Sequence, residues 1–273
     1  MLLSTRFRLA LPLALLSPLT PIATPAIQLT PPPPHAKSVL WFRHGQSEAN
    51  ARGVLGSAVL DAQLTDLGRR QTASWSSVAP SLGVERIFCS PLVRSIESAT
   101  SIFAEADPNL CLTVTPAARE YHWEQAENRG RLAAGLLSGT RNGRPGERVA
   151  WPVVDSFDRR IERIGELERP SRIWDPIDEA SLTAQAAQER WQRGLRTLAR
   201  EITTADASRL AVVCHYGVIE ALCGVAPANA AMIETSVWVD DEGETQIQLQ
   251  APVQVPPLVS RASGVQRLLL LSS

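Results

Sequence analysis

The stretch "SVLWFRHGQSEAN", Ser38 to Asn50, runs five apolar or β-prone residues straight into Arg43, His44 and Gly45. An apolar run of this length that breaks at a glycine reads as a strand, Ser38 to Phe42, buried on both faces as in a parallel sheet. A strand that ends on a guanidinium and an imidazole carries both to the carboxyl edge of its sheet. In open α/β sheets that edge is where ligand crevices lie.

Working outward, the pattern alternates between strand-like and helix-like segments. Thr65 to about Leu82 reads as a helix with Thr65 as its N-cap. "ERIFCS" is a strand, and "SPLVRSIESATSIF" a helix with Ser90 at the N-cap and Pro91 in the first turn. "LCLTV" is a further strand, and residues 125–180 form an irregular insertion able to serve as a lid. A helix from about Leu182 to Thr203 precedes the strand "RLAVVC", a short helix begins near Val218, and "SVWVD" with "TQIQLQ" reads as a closing hairpin. Strands interleaved with helices predict an α/β fold: three layers, a doubly wound, mostly parallel sheet with helices on both faces. Three polar elements then fall at strand exits: Arg43 with His44, Ser90 to Arg94, and His215.

Composition bounds the rest. The chain has 273 residues, 44% hydrophobic and 20% charged, with a net charge of −1, so bulk charge gives no reason to expect a nucleic-acid partner. Residues 1–36 differ from the remainder: Arg6 and Arg8, the apolar run Leu9 to Leu16, a proline-rich stretch, and no acidic residue before Glu48. That segment reads as a leader, either secretory with an exit near Ala23 or Ala26 or an acid-poor organellar transit peptide, and its apolar run is too short to span a bilayer. The organisation is therefore a leader (1–36), one folded domain (37–250) and a C-terminal tail (251–273), with secretion or an organelle as destination. Cys89, Cys111, Cys214 and Cys223 form no CxxC pair and no cluster with histidine, so a zinc site is not expected, and the cysteines read as small buried hydrophobes. The oligomeric state is not legible.

At "RHGQSEAN" the chain resembles the histidine phosphatase superfamily, which includes phosphoglycerate mutases and acid phosphatases. A chance match to the five specified positions is on the order of one in several thousand. "DAQLTDLGRRQ" (Asp61 to Gln71), "CSPLVRSIESAT", "REYHW" and "VVCHYG" resemble the motifs that follow in the family, in family order. The resemblance implies a phosphoglycerate mutase-like fold and a catalyst needing no metal or cofactor, acting on a small phosphorylated substrate. By it, His44 is the nucleophile; Arg43, Asn50, Arg94 and His215 cradle the phosphate, His215 also counting as catalytic; and Glu120 is the proton donor.

Bare chemistry agrees with such a set. Phosphate monoester hydrolysis needs accelerations of up to about 10²¹, and a neutral imidazole divides that barrier by carrying the phosphoryl group as phosphohistidine. Guanidinium forks suit the charge gathering on the equatorial oxygens, and Gly45 lets the backbone come close to phosphate. Neighbouring anions should raise the Glu120 pKa. Glu124 and Glu127 compete with Glu120 as the acid, Ser47 either contacts phosphate or caps the next turn, and His122 and Trp123 line the entrance or simply pack. Tyr216 stands where many relatives carry a small residue and narrows the pocket. The paired arginine and tyrosine segment with which mutases hold a substrate carboxylate has no evident counterpart. The reading is therefore a phosphatase hydrolysing phosphate monoesters, with a mutase-type transfer or a non-catalytic phosphate-binding protein as alternatives. Specificity is expected in residues 121–180, where several arginines stand ready for a second anionic group or are merely solvated.

Overall fold

The computed structural model describes residues 31–53, 59, 61–103, 105–106, 110–120, 126–128, 161–162 and 183–256. The chain divides into the units Met1–Pro31 and Pro32–Ser273. Within the second the elements are β1 (Lys37–Arg43), α1 (Glu48–Arg52), α2 (Asp66–Ala73), β2 (Arg86–Cys89), α3 (Val93–Phe103), β3 (Cys111–Val114), β4 (Ile161–Glu162), α4 (Ala184–Thr204), β5 (Arg209–Cys214), α5 (Tyr216–Cys223), β6 (Met232–Val239) and β7 (Thr245–Leu249). They build a seven-stranded sheet in the order β4-β3-β2-β5-β1-β6-β7. Neighbours from β4 to β1 pair in parallel, and β6 and β7 close one edge antiparallel. The expected mostly parallel α/β sheet is the one observed.

Side-chain alternation along the inner strands feeds two cores. Val39 and Trp41 of β1, with Leu210, Val212 and Cys214 of β5, face Leu195, Leu198 and Ile202 of α4 and Val218 and Ile219 of α5. Leu40 and Phe42, with Ala211 and Val213, face the opposite side, against Trp75, Ala99, Ile102 and Phe103. Both faces are covered, hence the unbroken apolar runs. Phe42 meets Trp75 and Phe103 edge-on, with ring centroids 5.6 and 5.7 Å apart. Truncating so large a buried side chain costs about 3–5 kcal/mol.

Some element boundaries differ from expectation for identifiable reasons. The helix capped by Thr65 ends at Ala73, because Trp75 turns into the core and donates its indole N–H to the Ala230 carbonyl, and Pro80 follows in a 3₁₀ turn. The helix expected from Ser90 starts instead at Val93, whose N–H donates to the carboxylate of Asp61 at 3.0 Å. The short helix near Val218 begins two residues earlier, at Tyr216, and β6 begins four residues before Ser236. Past residue 250, Gln254 bridges antiparallel to Met232. Residues 1–30 of the leader, most of the insertion at 125–180, and residues 257–273 lie outside the described residues. Among the described residues no helix is long and apolar enough to cross a membrane. Cys89 and Cys214 are buried free thiols and Cys223 is partly buried.

The loop after β1 is clamped by α2. Gln71 accepts from the Gln46 N–H, Thr65 donates to the Gln46 side chain, and a Cβ on Gly45 would lie 2.5 Å from the Gly68 carbonyl oxygen. The tight approach that Gly45 makes in this structure is thus to Gly68, and Gly68 meets the Gln46 carbonyl in the same way. Gly68→Ala should therefore unfold at clearly lower denaturant than wild type. Gly194→Ala, in α4, puts its Cβ in ordinary contact 3.7 Å from the Ala117 oxygen and should gain about 0.5–1 kcal/mol from helix propensity. Chemical denaturation of the two variants checks the pair of opposite signs.

Candidate active site

Three neighbouring parallel strands end at one place. Arg43 of β1 pairs with Cys214 of β5, and Cys89 of β2 with Val213. The ladder continues one bond further: the His44 N–H donates to the Cys214 carbonyl at 3.0 Å and the Ser90 N–H to the Val213 carbonyl at 3.0 Å. His44, His215 and Ser90 therefore leave adjacent strands side by side, and the two imidazole centroids stand 5.2 Å apart. From β3, Thr115 continues the ladder to Cys89, and a 3₁₀ turn, Pro116–Ala118, leads to Arg119 and Glu120.

The ring of His44 is 3% exposed, and its Nδ1 lies 2.7 Å from the Gly45 carbonyl oxygen. A carbonyl only accepts, so Nδ1 carries the proton of the neutral ring and Nε2 keeps its lone pair. Arg94 Nε donates to that Nε2 at 3.3 Å. Burial first, then the Arg94 and Arg43 charges, hold the pKa of His44 well below its ordinary value, against the smaller opposing effect of the Gly45 bond.

Arg94, 2% exposed, is aimed by its other nitrogens: Nη1 donates to the Glu127 carbonyl and Nη2 to Asn128 Oδ1, both at 2.6 Å. Burial lowers its pKa, and the carboxylates of Asp61, Glu120 and Glu127 work in the opposite direction. Arg43 donates to the Pro227 carbonyl at 2.8 Å and its Cζ lies 5.4 Å from the centroid of the Tyr216 ring. Its Nε is buried without a partner. Asn50 sits in the first turn of α1, where its Oδ1 accepts from the Ser47 N–H and from Asn229, while Ser47 Oγ accepts from the Asn50 N–H. Of its two expected roles, Ser47 takes the cap. Glu120 accepts from the Gly217 N–H at 3.2 Å, at the start of α5.

Arg43, His44, Asn50, Arg94 and Glu120 all line one cavity of 430 Å³, with Glu127, Trp191, Tyr216 and Glu220 toward its outer wall. His215 stands behind His44, fully buried, with Ser90 Oγ at 2.6 Å and Ser95 Oγ at 3.3 Å from Nε2 and no partner for Nδ1. Burial, then the Arg94, His44 and Arg43 positions, hold its pKa well below the ordinary imidazole value. All six residues expected from the sequence are brought to one region. His122, Trp123 and Glu124 lie outside the described residues.

Sequence reasoning assigned no role to Asn128, which orients Arg94, or to Asp61, which is buried at φ +44° and receives the first N–H of α3. It also missed Ser95 and Ser98, although small hydroxyls flanking an arginine on an otherwise apolar helix face were a readable signal. Ser98 Oγ accepts from the Gly45 N–H and donates to the Arg94 carbonyl. Trp191 and Glu220 carried no local signal, since only the folded topology brings α4 and α5 to this mouth.

Residues 39–152 match the family described as the histidine phosphatase superfamily (branch 1). Over 129 residues the chain is 26% identical to a 2,3-bisphosphoglycerate-dependent phosphoglycerate mutase of Thermoplasma acidophilum, covering 46% of this chain and 62% of that protein. Over 82 residues it is 33% identical to a probable phosphatase of Schizosaccharomyces pombe, covering 30% of this chain and 38% of that one. The chain thus spans less than two thirds of either relative. A solved mycobacterial glucosyl-3-phosphoglycerate phosphatase is similar with a TM-score of 0.45 at 17% identity, over 78% of this chain and 98% of that chain.

The depressed imidazoles make stability depend on pH with a defined sign. In the unfolded chain His44 and His215 take up protons near their ordinary pKa of about 6.5, while the folded forms stay neutral to lower pH. Their contribution is fully present above about pH 6.5 and drains away as pH falls from there toward the folded-state values. Urea midpoints should drop between about pH 7.5 and pH 5, each group adding up to ~1.4 kcal/mol per pH unit to the slope. A His215→Gln variant should show a shallower decline across the same series.

Proposed function

We propose that the chain, whose residues 39–152 match the histidine phosphatase superfamily, is a metal-independent phosphatase hydrolysing phosphate monoesters through a phosphohistidine on His44. The observation that carries this reading is the state of the His44 ring. Its Nδ1–H is committed to the Gly45 carbonyl, its Nε2 lone pair faces the cavity's guanidinium, and burial keeps it unprotonated. A nucleophile must present a lone pair, and this one does so beside the cations that would gather phosphate.

In the proposed sequence, Nε2 attacks phosphorus and the phosphorus–ester oxygen bond breaks. The departing alkoxide takes its proton from the Glu120 carboxyl group. Water then gives a proton to the Glu120 carboxylate as it attacks the phosphohistidine, releasing inorganic phosphate and returning the electron pair to Nε2. Arg43, Arg94, Asn50 and His215 hold the non-bridging oxygens throughout. Glu120 is preferred to Glu127 because its carboxylate is anchored in the cavity by the Gly217 N–H, whereas Glu127 engages Arg94 through its main chain. Likeness to a phosphoglycerate mutase favours a second reading, in which a substrate hydroxyl replaces water as acceptor.

Turnover of a chromogenic phosphate ester should be unaffected by excess EDTA and should not need a bisphosphate primer. A primer requirement would favour the mutase. His44→Ala should lose at least about 10³-fold in kcat and should yield no acid-labile phosphoenzyme after rapid quench. Glu120→Gln should lower kcat by about 10²–10⁴ for alkyl phosphates but much less for nitrophenyl phosphate, whose leaving group needs no proton. An active His44→Ala enzyme would end the proposal.

A further inference from the structure

The proposed chemistry uses the inner end of the cavity and leaves its mouth without a role. Trp191 of α4 and Tyr216, Glu220 and Ala221 of α5 line that outer part. Among the described lining residues, two guanidinium groups face three carboxylates, those of Glu120, Glu127 and Glu220. The carboxylates of Glu120 and Glu127 lie close enough to raise the pKa of both arginines, against the effect of burial. The cations are therefore partly balanced before a substrate arrives. A phosphate beside His44 then occupies the positive charge that is left, and a second anionic group further out would meet carboxylate.

Tyr216 and Glu220 stand one helical turn apart, so they share a face of α5. The Tyr216 hydroxyl donates to Glu220 Oε1 at 2.8 Å, and its ring centroid lies 5.4 Å from Arg43 Cζ, within reach of a cation–π contact. A ring that is 37% exposed is thus held both by its hydroxyl and by its face. The indole N–H of Trp191 donates to the Arg119 carbonyl at 3.3 Å, so Trp191 enters the wall as ring surface rather than as a donor. Rings fixed in advance offer contact area at little cost in ordering. They favour an alcohol with a flat or apolar face.

We propose that Tyr216 and Glu220 form a specificity element at the cavity mouth, selecting phosphate monoesters of uncharged, ring-bearing alcohols and discriminating against esters that carry a second anionic group. Tyr216 supplies the ring and Glu220 the repulsion. The inference rests on the phosphatase reading for the phosphate end of the substrate, but the preference for one alcohol over another is also a property of binding.

Three esters of primary alcohols test it on the full chain: benzyl phosphate, 4-carboxybenzyl phosphate and ethyl phosphate. Wild type should show the highest kcat/KM for benzyl phosphate. Its preference over the carboxylated ester should shrink when ionic strength is raised from about 0.05 to about 0.5 M, because an exposed carboxylate is screened. Glu220→Gln, which can still accept from Tyr216, should reduce that preference by about 3- to 10-fold. Tyr216→Ala should reduce the preference for benzyl over ethyl phosphate by about 3- to 10-fold, mainly through KM. A wild-type enzyme that prefers 4-carboxybenzyl phosphate overturns the proposal, since it would reveal a second anion site. So does a preference that neither salt nor Glu220→Gln alters, or a benzyl advantage that survives Tyr216→Ala. If none of the esters is turned over, calorimetric titration of the same three decides. Tighter binding of benzyl phosphate that depends on Tyr216 and Glu220 would count against hydrolysis and leave the mouth assignment standing, whereas equal binding of all three would end it.

Discussion

The pairing register of β2, β5 and β1 is the constraint from which the site follows. Parallel strands place equivalent residues level with one another. Arg43 level with Cys214, and Cys89 with Val213, means that the chain leaves β1 and β5 at the same height and β2 within one residue of it. His44, His215 and Ser90, separated by up to 171 positions in sequence, need no long loops to meet. A one-residue slip of β5 would carry His215 away from His44 and exchange the two core faces, so apolar packing enforces the functional register.

Electrostatics completes what register begins. Two guanidinium groups and two imidazoles are gathered where water is scarce, and the imidazoles answer by staying neutral. That outcome suits a nucleophile, for which a proton on Nε2 would be disabling. The arginines stay charged because carboxylates and carbonyls surround them: Glu127 and Asn128 take two nitrogens of Arg94, and Asp61 and Glu120 contribute charge. Each carbonyl that orients a guanidinium also consumes one of its donors, whereas the Nε of Arg43 is buried without a partner.

Much of this was legible in the sequence because strands buried on both faces announce themselves as apolar runs, and because polar residues directly after such runs have few places to go. Arg43, His44, Ser90, Arg94 and His215 were located that way. Element ends were read less well. The start of α3 is determined by Asp61, over thirty positions away, and the end of α2 by Trp75 choosing the core over helix continuation. Neither is a local propensity. The outer wall was invisible for a related reason: Trp191 sits on an amphipathic helix whose apolar stripe already accounts for it, and its place at the cavity mouth depends on where α4 crosses the 3₁₀ turn after β3.

The short turn Ala126–Asn128 has a wider consequence. Its Glu127 and Asn128 grip the guanidinium of Arg94, and the Asn128 carbonyl is gripped in turn by Arg119, one residue from Glu120. A cation in the floor of the cavity is thus tethered to the beginning of a long intervening segment of the chain. A change that displaces the turn Ala126–Asn128 would release both side-chain nitrogens of Arg94 that it holds and so re-aim the guanidinium. Any remodelling of it has to leave three residues in place, or re-aim the guanidinium by other means.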